Sequence, residues 1–557
     1  MLFNSWEFLI LLAATFALYY APWSRGPHGK AWQVMLALVA SVIFYGWEDP
    51  KLIGLLAISC VGNSLATGRI ILHKVAGDEK RVQQWTRRAV VMNLSLLGIF
   101  KYLPFLVGMV PGLPQAWVES VKAIPLPIGI SFYTFHGISM IVDVARGEVT
   151  REGDSLVSHG NKGGRFAKGV RDIGFYLLFF PQLVAGPIVK AKEFWPQIAA
   201  KRIETIPWKQ VMRALITGYF LKMFVADNLA EQTTGLTFGP NSLAASSPLY
   251  LIPLLYGYTL QIFADFAGYS LIAIGLAAMF GYRFPVNFNF PYLSTSITEF
   301  WKRWHMSLSG WLRDYLYIPL GGNRKGPGRT YINLFLVMFL GGLWHGAEWK
   351  FALWGSLHGI FLALERLGTR DRRSGIADGR LKTEDLAATI SHLPSPSYSS
   401  SSFFSSSNQQ STINNHQSSI SPSSDSSSSD LRLSDIQTFR PRSVSHLLSI
   451  CLRWFISFHL VTLLWLTFLM PDMASILAFF KGVFSGNMGF SGPPIFSLVF
   501  YGTAVVLYHA WGWLKEHREH FASHLARSPL EPILHGLMIF LILTNPGAPR
   551  GFIYFQF

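Results

Sequence analysis

The chain is 557 residues long, half of them hydrophobic and 15% aromatic, with only 14% charged and a mean hydropathy of +0.31. Ordinary globular chains carry about 25% charged residues, so a string of soluble domains is excluded and most of this chain belongs in a membrane. The surplus of 47 Lys and Arg over 31 Asp and Glu leaves +16, which in a membrane protein reports basic cytoplasmic loops; no nucleic-acid partner is expected.

In chain order, the first apolar run, Phe8–Tyr20, is preceded by a single charge, Glu7, and followed by Ala21-Pro22-Trp23. A cleavable signal would have a basic region before it and small residues after it, so this reads as a retained first helix. Further apolar runs lie near 32–46, 50–67, 89–110, 124–142, 211–228, 249–281, 331–346, 350–366, 446–470, 493–513 and 530–546. The reading is an all-α polytopic membrane protein, a helical bundle with about 11–12 transmembrane segments. The run 172–189 is broken by Pro181, Gly186 and Pro187. Irregular backbone is tolerated at membrane depth only when buried in protein or lining water, so this run is predicted to be re-entrant.

Loop charge sets the orientation. Residues 68–89 carry Arg69, Lys74, Lys80, Arg81, Arg87 and Arg88 against two acids, whereas 229–249 contain no Lys or Arg. The first loop therefore faces the cytoplasm and the second faces out. Residues 143–171 and 188–213 are both basic, as a re-entrant element between them requires. The cysteines, Cys60 and Cys451, each lie in an apolar run, so neither a disulfide framework nor a cysteine metal site is expected.

Residues 391–430 hold twenty serines in forty positions and no helical period. Such a stretch cannot bury enough apolar surface to offset its ordering entropy, so a disordered loop is expected. Arg366, Arg370, Arg372 and Arg373 before it, and Arg440 and Arg442 after it, place it in the cytoplasm. The organisation read from this is a main transmembrane bundle carrying the chemistry (1–366), a cytoplasmic linker with the serine-rich insert (367–446), and C-terminal transmembrane helices (447–557). No internal repeat is visible, which counts against an inverted-repeat transporter.

Candidate chemistry concentrates between 256 and 359. In 300–324, Trp301, Trp304, Leu308, Trp311, Leu312 and Tyr315 recur at helical spacing among Lys302, Arg303 and Arg313. The spacing predicts an amphipathic interfacial or re-entrant helix. His305 falls on its apolar side, where a lone histidine reads as a packed core residue. His345 stands near the end of an apolar run, and Gly341, Gly342 and Gly346 around it allow backbone or substrate to approach closely.

An ionisable side chain at membrane depth is expensive and defaults to a functional reading. Imidazole can take and return a proton near neutral pH, as activating a hydroxyl requires. The two histidines thus fit acyl transfer to oxygen, while His136, His358 and His459 read as structural. His305 and His345 are forty residues apart with no His-Glu-x-x-His cluster, so no metal site is expected. No G-x-S-x-G elbow supports a serine nucleophile. Asp265, amid Phe263, Phe266 and Tyr269, needs a partner, with an Arg in view; it is a packing clamp or a substrate contact. Trp344 is a further candidate substrate contact. Asp314 is either another such contact or, like Tyr315 and Tyr317, a brace for its helix.

These residues resemble the membrane-bound O-acyltransferases, and within them the bacterial alginate O-acetyltransferase branch. The resemblance runs through MLFNSWEFL at the start, FYGWEDPKL (44–52), PLPIGISFYTFHGISMIVDVARGE (125–148), FPQLVAGPIVKAKEFWPQ (180–197) and YGYTLQIFADFAGYS (256–270). It continues through 300–324, LWHGAEWKFALWGSLHG (343–359) and the terminal FIYFQF (552–557), covering nearly all of the chain except the serine-rich insert. It implies a funnel-shaped helical bundle around a central tunnel, with His345 matching the family's catalytic histidine and His305 its second active-site histidine. Departures are Leu271 where Asp is usual, Ala267 where Ser is common and His136 where Gln is usual.

The resemblance further implies an acyl thioester donor from the cytoplasm, acetyl-CoA above all, and no bound cofactor. Lys302, Arg303, Arg324, Lys325 and Arg329 would meet the donor's phosphates, although ordinary positive-inside topology accounts for the same charges. The implied setting is the cell inner membrane, among membrane lipid, with a periplasmic acetyltransferase and polysaccharide synthesis machinery as partners. The alternatives are a D-alanyl transferase to teichoic acid and, from another class, a polytopic transporter without covalent chemistry.

Overall fold

The computed structural model describes residues 1–149, 162–183, 186–374, 444–485 and 495–552. The serine-rich stretch 391–430 lies outside them. Among the described residues every regular element is helical. The helices that position the site are α1 (Trp6–Tyr19), α2 (Gly29–Gly46), α3 (Leu52–Val75), α4 (Glu79–Leu97), α5 (Ile130–Arg146), α6 (Lys162–Leu178) and α7 (Trp208–Tyr219). They continue as α8 (Pro248–Met279), α9 (Ile297–Arg303), α10 (Met306–Leu312), α11 (Pro327–His345), α12 (Trp349–Ser374), α13 (Val444–Leu469) and α14 (Ile495–His517).

Their ends carry ordinary signals. Asp78 accepts from the Arg81 N–H at the start of α4 and Ser296 from the Glu299 N–H at the start of α9. Glu299 reaches back to the Thr295 N–H, closing a reciprocal cap. Gly147, with φ 81°, ends α5 in the left-handed conformation.

Among the described residues, six helices are long and apolar enough to cross a membrane: α2, α3, α4 with its continuation to Val107, α8, α13 and α14. Shorter apolar helices are α1, Met473–Phe484 and Leu530–Thr544. The protein is a multi-pass membrane protein. In α8, 78% of the most apolar window is buried in protein, against 22% in α4 and α13, so α8 is the central post and the other two present side chains outward. It packs against α7, α13 and α14.

The run 172–189 breaks as its prolines require. After α6 comes a short helix, Phe180–Leu183, and then buried irregular chain from Pro187 to Lys190. Side chains satisfy this backbone: Ser41 Oγ accepts from the Phe180 N–H at 3.0 Å, Ser307 Oγ from the Ile188 N–H at 3.0 Å, and the Tyr176 hydroxyl donates to the Val189 carbonyl at 2.9 Å.

Among the described residues, three helices widen into π turns, Gly98–Tyr102 after α4, Phe220–Ala226 after α7 and Arg313–Tyr317 after α10. Each holds a buried ionisable side chain, respectively Lys101, Lys222 and Asp314.

Candidate active site

α11 and α12 form a tight helical hairpin whose glycines serve contact between the two backbones. A Cβ on Gly342 would lie 2.3 Å from the Phe351 carbonyl oxygen and 2.9 Å from the Cα of Gly355, and one on Gly346 would overlap the Phe351 ring. His345 is the last residue of α11, where a helix leaves carbonyls without intrahelical partners. The π turn after α4 supplies them. Lys101 Nζ donates to the carbonyls of Trp344 (2.6 Å) and His345 (3.0 Å), and the Tyr102 hydroxyl donates to that of Leu343 (3.0 Å). A cation at the negative end of the helix dipole is favourable in sign, and three carbonyl oxygens accept from two side chains. The His345 ring is only 4% exposed and sits edge-on to Trp354, with Trp344 and Phe468 also against it.

The expected single amphipathic helix over 300–324 is interrupted at His305. Its backbone is left-handed, φ 45° and ψ 51°, a conformation uncommon for a residue with a Cβ and frequent at functional sites. The cause is local: the Asn287 carbonyl accepts from the Met306 N–H at 2.9 Å, and the Asn289 N–H donates to the Arg303 carbonyl at 2.9 Å, so the extended chain at 287–289 pairs with the α9–α10 junction. The His305 side chain is nevertheless buried, as its apolar spacing predicts. Its Nδ1 lies 3.0 Å from Asn287 Oδ1, and Phe266 packs against the ring at 4.6 Å between centroids.

The His305 and His345 rings lie 6.4 Å apart, centroid to centroid, with Trp344 6.1 Å from His305 and 5.1 Å from His345. Trp344 Nε1 and His305 Nε2 are buried and have no hydrogen-bond partner among the described residues. Two imidazoles and an indole N–H thus converge in an aromatic, water-excluding setting, where proton transfer and hydrogen bonding to a developing charge are strongest. Phe552, near the end of the chain, packs on Phe266 and Tyr269 beside the pair.

The remaining candidates are placed elsewhere. Asp265, for which the sequence suggested an Arg partner, pairs with Lys222; Lys222 Nζ is 2.7 Å from both Asp265 and Asp227, all three buried. An apolar setting demands such pairing, and the carboxylates join α8 to the π turn after α7. Arg303 forms ion pairs with Glu299 (2.8 Å) and Glu516 (2.5 Å), tying α9 to the end of α14. Burial acts to raise the Glu299 carboxyl, yet the Thr295 N–H and hydroxyl and the Arg303 guanidinium hold it below its usual range. Lys302 is half-buried, and Arg324, Lys325 and Arg329 are exposed. Asp314 belongs to a separate cluster with Lys190 and Arg313, each at 2.7 Å. His358 accepts from Trp301 Nε1 at 3.3 Å, and Trp354 packs against both it and His345. His136 is buried against Tyr176, and His459 lies over its own helix carbonyl at Phe455.

Sequence reasoning passed over Asn287, Lys101 and Lys222. The two lysines carried a usable signal, a lone cation inside an apolar run. Asn287 carried none, since its role depends on pairing across eighteen residues.

Residues 172–374, which include both histidines, match the model of MBOAT, the membrane-bound O-acyltransferase family. The chain is 40% identical over 372 residues to a probable alginate O-acetylase AlgI of Azotobacter vinelandii, covering 66% of this chain and 69% of that one. It is 34% identical to the peptidoglycan O-acetyltransferase of Helicobacter pylori over 60% of this chain and 64% of that one. It is 28% identical to the teichoic acid D-alanyltransferase of Bacillus subtilis over 49% and 66%. The chain belongs to the membrane-bound O-acyltransferase family and is an O-acyltransferase.

Proposed function

We propose that the protein passes an acetyl group from a cytosolic thioester, acetyl-CoA, across the inner membrane for O-acetylation of an extracellular polysaccharide such as alginate. The observation that carries this reading is the buried His305–His345 pair, 6.4 Å between ring centroids, inside the stretch that matches the family. The 40% identity to a probable alginate O-acetylase supports acetyl over D-alanyl and alginate-like over other polymers. The donor approaches from the basic face near Lys302, Arg324, Lys325 and Arg329, and a hydroxyl acceptor arrives from the other side. His345 serves as general base or hydrogen-bond partner to that hydroxyl, and His305 orients the thioester carbonyl or shares the proton. The acceptor belongs to a periplasmic acetyltransferase that completes polysaccharide acetylation.

Purified protein assayed with radiolabelled acetyl-CoA tests this. His345→Ala is expected to lose about two to four powers of ten in transfer with normal membrane yield and helical content. His305→Ala loses activity too, and the double variant falls little below the worse single one if the pair acts as a unit. Full specific activity in well-folded His345→Ala would overturn the mechanism. The second reading, D-alanyl transfer, is favoured by the 28% identity to a teichoic acid D-alanyltransferase; transfer from a D-alanyl carrier protein and none from acetyl-CoA would select it.

A further inference from the structure

The hydrogen bonds around Asn287 settle which nitrogen of His305 carries the proton. Asn287 Oδ1 receives the Ser307 backbone N–H at 3.3 Å, and a backbone N–H can only donate. The Ser307 hydroxyl already accepts from the Ile188 N–H at 3.0 Å and turns its own hydrogen to the same oxygen at 2.9 Å. On the other side, Asn287 Nδ2 donates to Ser270 Oγ at 3.0 Å. Exchanging the amide oxygen and nitrogen would set two N–H groups against each other, so the amide has one orientation. The atom facing His305 Nδ1 is therefore an acceptor, and Nδ1 must be the protonated nitrogen. Nε2 is left with its lone pair, buried and without a hydrogen-bond partner among the described residues.

We infer that Asn287 is a positioning residue that holds His305 in the Nδ1–H tautomer, making His305 Nε2 the atom that takes the proton from the acceptor hydroxyl. This inference rests on the acyl-transfer reading and narrows it. A neutral His305 in this tautomer has no N–H to offer a thioester carbonyl from Nε2, so the carbonyl-orienting role falls away and His345 is the hydrogen-bond partner. In the step, the acceptor hydroxyl gives its proton to Nε2 as its oxygen attacks the thioester carbonyl carbon. The C–O bond forms and the carbonyl becomes a tetrahedral oxyanion. Collapse breaks the C–S bond, and the thiolate leaves with the proton held on Nε2, giving ester and free thiol. Asn287 Oδ1 stabilises the transient imidazolium through the Nδ1–H bond, as the third member of a hydrolase triad orients its histidine.

The ring's packed neighbours are Phe266 from α8 and Trp344 and His345 from α11. His345 is the titratable one, with Lys101 bound to its backbone and His358 beyond Trp354. Replacing Asn287 with Asp keeps an acceptor for Nδ1–H and adds a charge that favours the imidazolium. Asn287→Asp is therefore expected to keep most of kcat at high pH while the acidic limb of its pH profile moves to higher pH. Asn287→Leu is expected to lose about ten- to hundred-fold in kcat with little change in the donor KM. A residue that only packed the loop would move neither the limb nor the ratio of kcat to KM effects.

The tautomer is also read directly. In full-length protein carrying [15N]histidine, with His305→Gln assigning the resonance, nitrogen shifts report which ring atom is protonated. Protonated Nδ1 is expected; protonated Nε2 would overturn the inference, as would parental kcat and pH profile in Asn287→Leu. Absence of acyl transfer from any donor in the unsubstituted protein would instead overturn the functional reading, with the nitrogen shifts still deciding the assignment of His305.

Discussion

Lys302 and Arg303 are neighbours in sequence with different work to do. Arg303 is committed to Glu299 and Glu516, whereas Lys302 is half-buried beside it. Lys302→Gln is expected to raise the donor KM several-fold with kcat nearly unchanged, because a phosphate contact binds ground and transition states alike. Arg303→Gln is expected to leave donor KM unchanged and to lower stability by about 1 kcal/mol, the scale of a partly screened ion-pair network. Steady-state kinetics and thermal unfolding of the two variants check the split; a KM effect at Arg303 would return it to the donor site. Charge alone could not separate these residues in the sequence, since the partners are 4 and 213 positions away. The histidines were legible because imidazole in an apolar run is costly, and Trp344 because it adjoins one of them. Asn287 was not, because an asparagine between Val286 and Phe288 reads as loop until its partners are known.

At the scale of elements, periodicity showed that 300–324 is amphipathic but missed the break at His305. Apolar spacing of three and four survives a one-residue kink, so burial was read correctly from a continuous helix that does not exist. The end of α11 shows the converse. Its last residue stood out in the sequence as a histidine in an apolar run, yet the group that fixes its backbone comes from the turn after α4, 244 positions away. Lys101→Met keeps the side chain's bulk and removes the donor to the Trp344 and His345 carbonyls. It is expected to cost about 1–3 kcal/mol for buried acceptors left without that donor and to lower acyl transfer as well. Thermal unfolding and transfer assays measure both; unchanged values in both would show that the α11 end holds its shape unaided.

Across the whole molecule, hydropathy located the apolar helices but not their order of burial, because α8 and α13 are similarly apolar while one is enclosed and the other outward-facing. The helices on either side of the serine-rich insert pack directly on each other, Trp354 of α12 meeting Trp465 and Phe468 of α13 at 5.8 and 5.4 Å. Deleting 391–430 is therefore expected to leave membrane insertion and acyl transfer largely intact; loss of folded protein in membrane fractions would contradict this. The three π turns carry a different lesson, one of phase. An extra residue in an α-helix turns everything beyond it by about 100° and swings its inward stripe well off the core. A π turn confines that extra residue to a single wide loop, so each helix carries its insertion without disturbing the stripe that follows. Shortening any of these turns by one residue would restore a regular helix and swing Lys101, Lys222 or Asp314 off its partners.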